Sequence, residues 1–149
     1  IRVETPYVYR NPFSDDPVEV AAMCAKLLDR LIENESPDTV AAFMAEPIQG
    51  AGGLIVPPAE YWPLVRKVCD KHGVLMIADE DVTGIGRTGH MFGSRMWNTK
   101  PDMMIFAKGI NSGYIPLGAI MVNGRIEEAF KDHPEAAFMH GNTYQARIA

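Results

Sequence analysis

The sequence predicts an α/β fold, because short uncharged runs of apolar residues alternate with longer amphipathic segments. Four runs of about five residues are typical of strands buried on both faces of a sheet. The longer segments repeat apolar residues at helical spacing. The order strand, helix, strand, strand, strand after a first helix predicts a largely parallel or mixed sheet with helices packed on it.

The first helix follows an extended, aromatic and proline-rich opening at residues 1–13. Ser14 or Asp15 is the predicted N-cap, and Pro17 suits the first helical turn. A Ser-Pro pair within residues 34–38 ends this helix. Its predicted inward face consists of apolar residues at helical spacing: Val18, Ala21, Ala22, Ala25, Leu28, Leu31 and Ile32.

The first predicted strand covers residues 40–45 and leads into a glycine-containing loop at 46–57. The Pro-Pro pair at 57–58 opens a second helix. That helix ends at residues 71–73, where two basic residues precede a glycine. Its predicted inward residues are Trp62, Val65 and Val68.

The remaining strands are predicted at residues 74–78, 103–107 and 118–122. The first of these ends in an acidic triplet and a glycine-rich turn, and the second ends in Lys108. A third helix is predicted from Arg125 to about Lys131, before an irregular tail.

Composition limits the class of partner. The chain has 149 residues, 47% of them hydrophobic, which suits one globular domain with its own core. Its net charge of -5 argues against nucleic acid or an anionic membrane as a partner. Cys24 and Cys69 lie in helical segments, so we expect free thiols and a cytoplasmic location. Because residue 1 is Ile, we expect a fragment of a longer protein.

Two charged residues stand where apolar runs end. Asp79 follows one predicted strand and Lys108 follows the next. Ligands gather at such positions in α/β sheets. Desolvation there would lower the pKa of a lysine, and a neutral lysine amine forms Schiff bases with carbonyl cofactors. Pyridoxal 5′-phosphate requires both a lysine for its aldehyde and a carboxylate for its ring nitrogen.

Each of these residues also has an ordinary structural explanation. A single lysine after a strand is usually solvated, and an acidic triplet usually forms a turn or caps a helix. The joint placement of Asp79 and Lys108, each after a short apolar run, makes a cofactor site competitive with those explanations without by itself establishing a cofactor.

Five motifs resemble those of the class III aminotransferases, which are fold-type I pyridoxal-phosphate enzymes. They are AEPIQGAGG at 45–53, IADE at 77–80, TGIGRTG at 83–89, AKG at 107–109 and SGYIPLGA at 112–119. The similarity runs from Tyr7 to Tyr144. It implies that residues 1–149 are the central part of the cofactor-binding large domain, with its mixed, mostly parallel sheet. The N-terminal phosphate-loop region and the C-terminal small domain are then expected outside this chain.

The resemblance also implies the site residues. Lys108 corresponds to the lysine that carries the cofactor as a Schiff base and moves the substrate proton. Asp79 corresponds to the aspartate on the pyridine nitrogen. Thr143 corresponds to a threonine that binds the cofactor phosphate across a dimer interface, so a homodimer or higher oligomer is expected. Glu46 and Gln49 are expected near the cofactor, in the substrate pocket.

Ala51 indicates the subgroup. Members that use glutamate or 2-oxoglutarate often have a glutamate here, which gates an arginine. The QGAGG form resembles the ω-amino acid:pyruvate transaminases (omega-transaminases). These move an amino group from an amine or ω-amino acid to a 2-oxo acid such as pyruvate. Arg87, among glycines, is expected to fasten its loop.

Asp81 departs from the family pattern, which usually has an aliphatic residue packed on the cofactor ring. A carboxylate there would be desolvated beside Asp79 without an evident partner. We therefore expect Asp81 to contact the cofactor and to weaken its binding or alter its electronics. In that case Asp81→Val changes cofactor affinity or absorbance. The isolated fragment is expected to bind cofactor weakly and to turn over substrate poorly.

Two other functions stay open. One is a non-catalytic module that keeps the fold for assembly. The other is a nucleotide hydrolase, because residues 74–80 resemble a strand that ends in a magnesium-binding Asp-Glu pair. That class also needs a phosphate loop of the form G-x-x-x-x-G-K-[ST], which this sequence lacks. The hydrolase therefore ranks below the other two.

Overall fold

The computed structural model describes residues 1–133 and residue 135. Its four strands form one sheet: β1 (Ala42–Ala45), β2 (Leu75–Asp79), β3 (Met103–Phe106) and β4 (Ala119–Val122). They lie side by side in that order. The first three are parallel, and β4 is antiparallel to β3. The predicted mixed, mostly parallel sheet is confirmed.

Helix α1 (Pro17–Glu35) begins at the predicted proline, but its cap differs from the prediction. Asp16 is the N-cap, and its Oδ1 accepts a hydrogen bond of 2.9 Å from the amide of Val18. The predicted caps Ser14 and Asp15 are therefore wrong. Ser14 instead supports the cap, because its hydroxyl accepts from the amide of Asp16 and donates to Glu19.

The predicted inward face of α1 is partly confirmed, because Ala21, Ala25, Leu28 and Ile32 are buried. Val18 and Ala22 are exposed, so their predicted inward position is wrong. Val20 and Cys24 complete the buried face instead.

Helix α2 (Tyr61–His72) completes the layer that covers one face of the sheet. It begins three residues after Pro58, and both prolines lie buried ahead of it. Trp62 is fully buried, and its ring meets that of Phe43 on β1 edge to face, 6.4 Å between centroids. The indole N–H donates to the carbonyl of Pro47. Gly73 ends the helix at a φ of 69°, as predicted.

Charged side chains join the end of α2 to α1. Lys71 Nζ lies 2.8 Å from Asp29 Oδ1 and 3.0 Å from Glu33 Oε1. His72 also contacts Asp29. The hydrogen bond from Lys71 is the main cause that lowers the pKa of Asp29 below its ordinary value. The exposed pairs of Lys71 contribute little to stability, whereas the His72 side chain is only 7% exposed.

The two cysteines and the third helix agree with the sequence. Cys24 and Cys69 are free and buried, and burial raises the pKa of each thiol to about 11. Helix α3 (Gly124–Lys131) follows β4 and is capped by Asn123. None of the helices in the described part of the chain has the length and apolar character needed to cross a bilayer.

Asp102, just before β3, connects three elements. Its carboxylate accepts hydrogen bonds from Arg66 of α2, the amide of Met76 on β2, and Asn123, at 2.8, 2.8 and 2.9 Å. Burial alone would raise the pKa of Asp102, but the Met76 amide and the Arg66 guanidinium outweigh it and lower that pKa. Asp102 therefore fixes β3 against β2 and the helical layer.

We expect Asp102→Ala to lower the free energy of unfolding by about 2–3 kcal/mol, because it removes the less exposed of the two carboxylate partners of Arg66 and leaves the Met76 amide without its acceptor. Urea titration of the full-length protein, followed by circular dichroism, measures the change. Asp70→Ala is the matched control, because Asp70 pairs with the same Arg66 but its side chain is 66% exposed. The control should cost less than about 1 kcal/mol. Equal losses in both variants would contradict the central role of Asp102.

The Asp102 contribution should also depend on pH. Its pKa lies below the ordinary value of 3.8 in the folded state, so its stabilisation is present above pH 3.8 and is lost as pH falls through the folded-state pKa. The stability difference between wild type and Asp102→Ala should therefore shrink in acid. Urea midpoints at pH 7, about pH 4 and about pH 3 test this. A difference that stays constant would contradict it.

Candidate active site

The sheet register brings the two predicted site residues to one edge. Asp79 is the last residue of β2 and pairs with Ile105 of β3. The strand β3 ends at Phe106, two residues before Lys108. Asp79 and Lys108 thus follow the carboxyl ends of neighbouring parallel strands, where ligands bind in sheets of this kind.

Alternation along β2 separates the acidic triplet into two faces. Met76, Ala78 and Glu80 are buried toward the helical layer. Asp79 and Asp81 point the other way and are half-buried. The amide of Asp81 donates to Asp79 Oδ1 at 3.1 Å, which fixes the turn between them. Two carboxylates therefore share the open face at this strand end.

Lys108 contacts Asp81 directly. Its Nζ lies 2.9 Å from Asp81 Oδ2, and its side chain is 62% exposed. Its backbone is left-handed, with a φ of 42°, at the start of a short 3-10 turn (Lys108–Asn111). Left-handed backbone at a residue other than glycine is strained, and such strain is concentrated at functional sites.

The predicted low pKa of Lys108 is wrong for this structure. The hydrogen bond to Asp81 raises the pKa above its ordinary value of 10.5 and outweighs desolvation. The charges of Asp81, Asp79 and Glu46 act in the same direction. The prediction that Asp81 lacks a partner is also wrong, because that partner is Lys108.

The ion pair lines an open cleft of about 470 Å³ beside the glycine-rich loop. That volume is within the usual range for small-molecule sites. The close approach of the two walls depends on Gly109, because a Cβ there would lie 3.2 Å from the Cβ of Ile85. The cleft is lined by Asp81, Val82, Gly84, Ile85, Gly86, Arg87, Lys108 and Gly109.

Arg87 lies exposed in the cleft wall. The loop around it is closed by backbone hydrogen bonds, from Ile85 to Met91 at 2.7 Å and from Gly89 to Gly86 at 3.1 Å. No side-chain contact of Arg87 within residues 1–133 supports the predicted fastening role.

Glu80 is the site residue that the sequence analysis missed. It is 1% exposed, and its carboxylate accepts three hydrogen bonds. The donors are the Thr83 hydroxyl at 2.6 Å, the Gly93 amide at 2.7 Å and the Ser94 amide at 2.8 Å. Glu80 thus ties the end of β2 to the 3-10 turn Gly93–Trp97 and holds both ends of the glycine-rich loop. The sequence does contain an indication of this role, because Glu80 comes two residues after Ala78 and so continues the buried face of the strand.

Two glycines allow this carboxylate to be enclosed. A Cβ on Gly84 would lie 2.7 Å from the carbonyl oxygen of Glu80, and one on Gly93 would lie 2.7 Å from the Cβ of Thr83. Only glycine fits at these positions without a shift of the backbone or of a buried neighbour.

The structure separates the three predicted residues of the 46–57 loop. Glu46 Oε2 accepts from the amide of Gly50 at 2.9 Å, and its charge acts on Lys108. Gln49 pairs through its backbone with Ile55 and lines a different cleft, beside the N-terminal segment. Ala51 is exposed in the tight turn between them. Thr143 lies outside the described residues, so its predicted phosphate contact stays a prediction.

These residues fit pyridoxal 5′-phosphate in three respects. Lys108 offers an amine at the mouth of the cleft, Asp79 offers a carboxylate on the adjacent strand, and the cleft is large enough for a small aromatic ring. Asp79 and Glu46 also make the surroundings of Lys108 negative, which suits a cationic ring nitrogen.

Comparison with known proteins agrees with this chemistry. A family model described as aminotransferase class-III matches residues 1–148. The chain is 44% identical over 144 residues to a putrescine–pyruvate aminotransferase from Pseudomonas aeruginosa, covering 97% of this chain and 31% of that protein. It is 47% identical over 128 residues to a vanillin aminotransferase from Capsicum frutescens, covering 85% and 28%.

Solved structures give the same result. An amine transaminase from an uncultivated Pseudomonas species, in a PLP-bound form, matches with a TM-score of 0.90 and 51% identity, over 95% of this chain and 33% of that chain. An (S)-enantioselective omega-transaminase from Thermomicrobium roseum matches with a TM-score of 0.90 and 45% identity, over 97% and 32%. The chain therefore spans about a third of the length of these relatives.

We expect Glu80→Gln to destabilise the protein by about 2–4 kcal/mol, because an amide cannot accept all three hydrogen bonds and leaves a buried donor unpaired. The loop at 81–92 should loosen, so trypsin should cleave faster after the exposed Arg87. Limited proteolysis with mass spectrometry of the full-length protein measures this. Glu60→Gln is the control, since Glu60 is exposed and its side chain does not cap α2. Unchanged cleavage in Glu80→Gln would contradict the role assigned to Glu80.

Proposed function

We infer the function of the whole protein from the premise that this chain belongs to the class III aminotransferase family. We propose that the protein is a pyridoxal-phosphate-dependent transaminase. The observation that carries this proposal is the placement of Asp79 and Lys108 at the carboxyl ends of adjacent parallel strands, where Lys108 and its partner Asp81 line one cleft. Because the chain spans about a third of its relatives, other segments of the protein would complete the site.

Each site residue would have a distinct role. Lys108 would attach covalently to the cofactor and later carry the proton that leaves the substrate carbon. Asp79 would pair with the protonated ring nitrogen. When bound, the cofactor supplies a carbonyl for the amino group and a ring that accepts electrons. Glu80 would contact neither the cofactor nor the substrate, and its role would be to hold the glycine-rich loop that forms one wall of the cleft.

We propose an amine or ω-amino acid as amino donor and a 2-oxo acid such as pyruvate as acceptor. Ala51, in place of a gating glutamate, supports this choice. So do relatives named as a putrescine–pyruvate aminotransferase and an omega-transaminase. We propose Glu46, Gln49 and Ala51 as residues of the substrate pocket, which would then extend along their loop toward the cleft beside the N-terminal segment that Gln49 lines.

We further propose that residues 1–149 form the central part of the cofactor-binding large domain. The whole protein would be a cytoplasmic homodimer or higher oligomer, in which Thr143 binds the cofactor phosphate across the interface. The support is the family membership together with two free, buried thiols. The net charge of -5 supports small molecules rather than nucleic acid or a membrane as partners.

A non-catalytic module is the second candidate, and one observation favours it. Lys108 is engaged by Asp81, at a position that is usually aliphatic in the family. A full-length protein that forms a stable oligomer but shows no absorbance of bound cofactor would support this candidate over the transaminase.

Borohydride reduction of the full-length protein with its cofactor should leave a pyridoxyl group on Lys108, detected by peptide mapping. Lys108→Ala should abolish the adduct and lower kcat by at least about 10²–10⁴-fold, since the proton carrier is lost. Lys100→Ala, at another exposed lysine, is the control, and it should keep both the adduct on Lys108 and the wild-type kcat. Absence of the adduct on Lys108 would exclude the proposed function.

Asp79→Asn should lower kcat by about ten- to a thousandfold, because the carboxylate would raise the pKa of the ring nitrogen by about 1–3 units. The KM for the amine should change less than kcat, and the absorbance of the bound cofactor should shift. Steady-state kinetics and spectra of the full-length protein measure this, with the exposed Asp38→Asn as control. An unchanged kcat would exclude Asp79 as the partner of the ring.

A further inference from the structure

We propose that Asp81 is the counter-ion of Lys108 in the cofactor-free protein and that it slows the covalent loading of the cofactor. The proposal deepens the proposed function and rests on it, in that Lys108 is taken as the attachment residue. Asp81 acts through Lys108, so it is a positioning residue rather than a catalytic one.

The geometry of the pair is asymmetric. Asp81 is 33% exposed and is fixed by its own backbone, since its amide donates to Asp79 Oδ1. The preceding residue, Glu80, is fully enclosed by its three hydrogen bonds. Lys108 is 62% exposed on a strained turn. The shorter and less exposed side chain of Asp81 therefore holds the ammonium of Lys108 at 2.9 Å, on the Asp81 side of the cleft.

The surrounding charges strengthen this hold. The groups that face Lys108 are the carboxylates of Asp81, Asp79 and Glu46, and Arg87 lines the same cleft. Three negative charges against one further positive charge favour the ammonium form. The hydrogen bond to Asp81 is the largest cause of the raised pKa, ahead of the charges of the other two carboxylates. Asp81 is thus the residue whose removal should free the amine most.

The attachment step explains why this matters. Lys108 must first give one proton from its ammonium to solvent. Its neutral nitrogen then forms a C=N bond with the aldehyde carbon, and the aldehyde oxygen leaves as water. The ion pair lowers the fraction of neutral amine at a given pH and points the nitrogen at Asp81. A hydrocarbon side chain at position 81 would impose neither restraint.

The first test uses no cofactor. Full-length protein stripped of cofactor is pulsed with acetic anhydride between pH 7 and 9, and mass spectrometry compares labelling of Lys108 with that of Lys26, exposed on α1. Asp81→Asn keeps the shape of the side chain and removes its charge. It should raise the Lys108 to Lys26 ratio by up to about fivefold, the range for an exposed ion pair. Asp81→Val should do the same, and Asp38→Asn should leave the ratio at the wild-type value.

Salt provides the same test without a mutation. An exposed ion pair is screened at high ionic strength. Added sodium chloride should therefore raise the labelling ratio more in wild type than in Asp81→Asn, in which only the weaker effects of Asp79 and Glu46 remain to be screened. A ratio that is the same in wild type and both Asp81 variants, and insensitive to salt, would overturn the proposal.

The second test measures loading. Cofactor is added to the stripped protein at several pH values, and the absorbance of the bound form is followed with time. Asp81→Asn should load up to about fivefold faster near pH 8, and the advantage should vanish at high pH, where Lys108 is neutral in both proteins. Equal loading rates with an adduct on Lys108 would overturn this proposal and leave the transaminase intact. The absence of an adduct in every variant would overturn the proposed transaminase function. The labelling ratio would still show whether Asp81 restrains Lys108.

Discussion

The site beside the sheet depends on one buried carboxylate, that of Glu80. A carboxylate can remain in a protein interior only if hydrogen bonds replace the water it loses. Glu80 obtains them from Thr83, Gly93 and Ser94. These donors belong to the two ends of the glycine-rich loop, so the need to satisfy one charge also closes the loop. The loop is held further by its own backbone bonds and by the ion pair of Asp81 with Lys108, but Glu80 is the residue that joins the two ends of the loop.

Because successive side chains of a strand point to opposite faces, the three consecutive acidic residues have different roles. Asp79 and Asp81 lie half-buried on the open face, where Asp81 lines the cleft, and Glu80 is buried on the other face. The same alternation that makes Glu80 structural makes its neighbours available for chemistry. One face of a single strand end thus provides both a partner for a ring nitrogen and a restraint on the lysine.

The sequence predicts the elements well because their signals are local. Apolar runs, a proline in the first turn and a glycine after the last turn mark β1 to β4 and the ends of the helices. The cap of α1 was misplaced because Ser14, Asp15 and Asp16 are all capable caps, and local preference cannot choose among them. The inward face of α1 was misjudged because Val18 is apolar but lies before the helix reaches the core. The partners of Glu80, Asp81 and Lys108 are 3 to 27 residues away in sequence, and only the folded chain brings them together.

The close-packed glycines have a consequence for anyone who would reshape the cleft by directed evolution. A Cβ on Gly84 or Gly93 would lie 2.7 Å from the Glu80 carbonyl oxygen or the Thr83 Cβ, so substitution there requires the wall to shift, whereas at Gly109 the Ile85 side chain need give way only slightly. Arg87 is exposed and is the freer position to vary, while Val82 lies beside Gly50. Ile85 is a special case, because its φ of 56° is one that β-branched residues rarely adopt. Asparagine or glycine at position 85 would relieve the backbone strain of the turn. Either substitution would also remove the contact of the Ile85 side chain with Gly109, so the cleft wall would become less rigid.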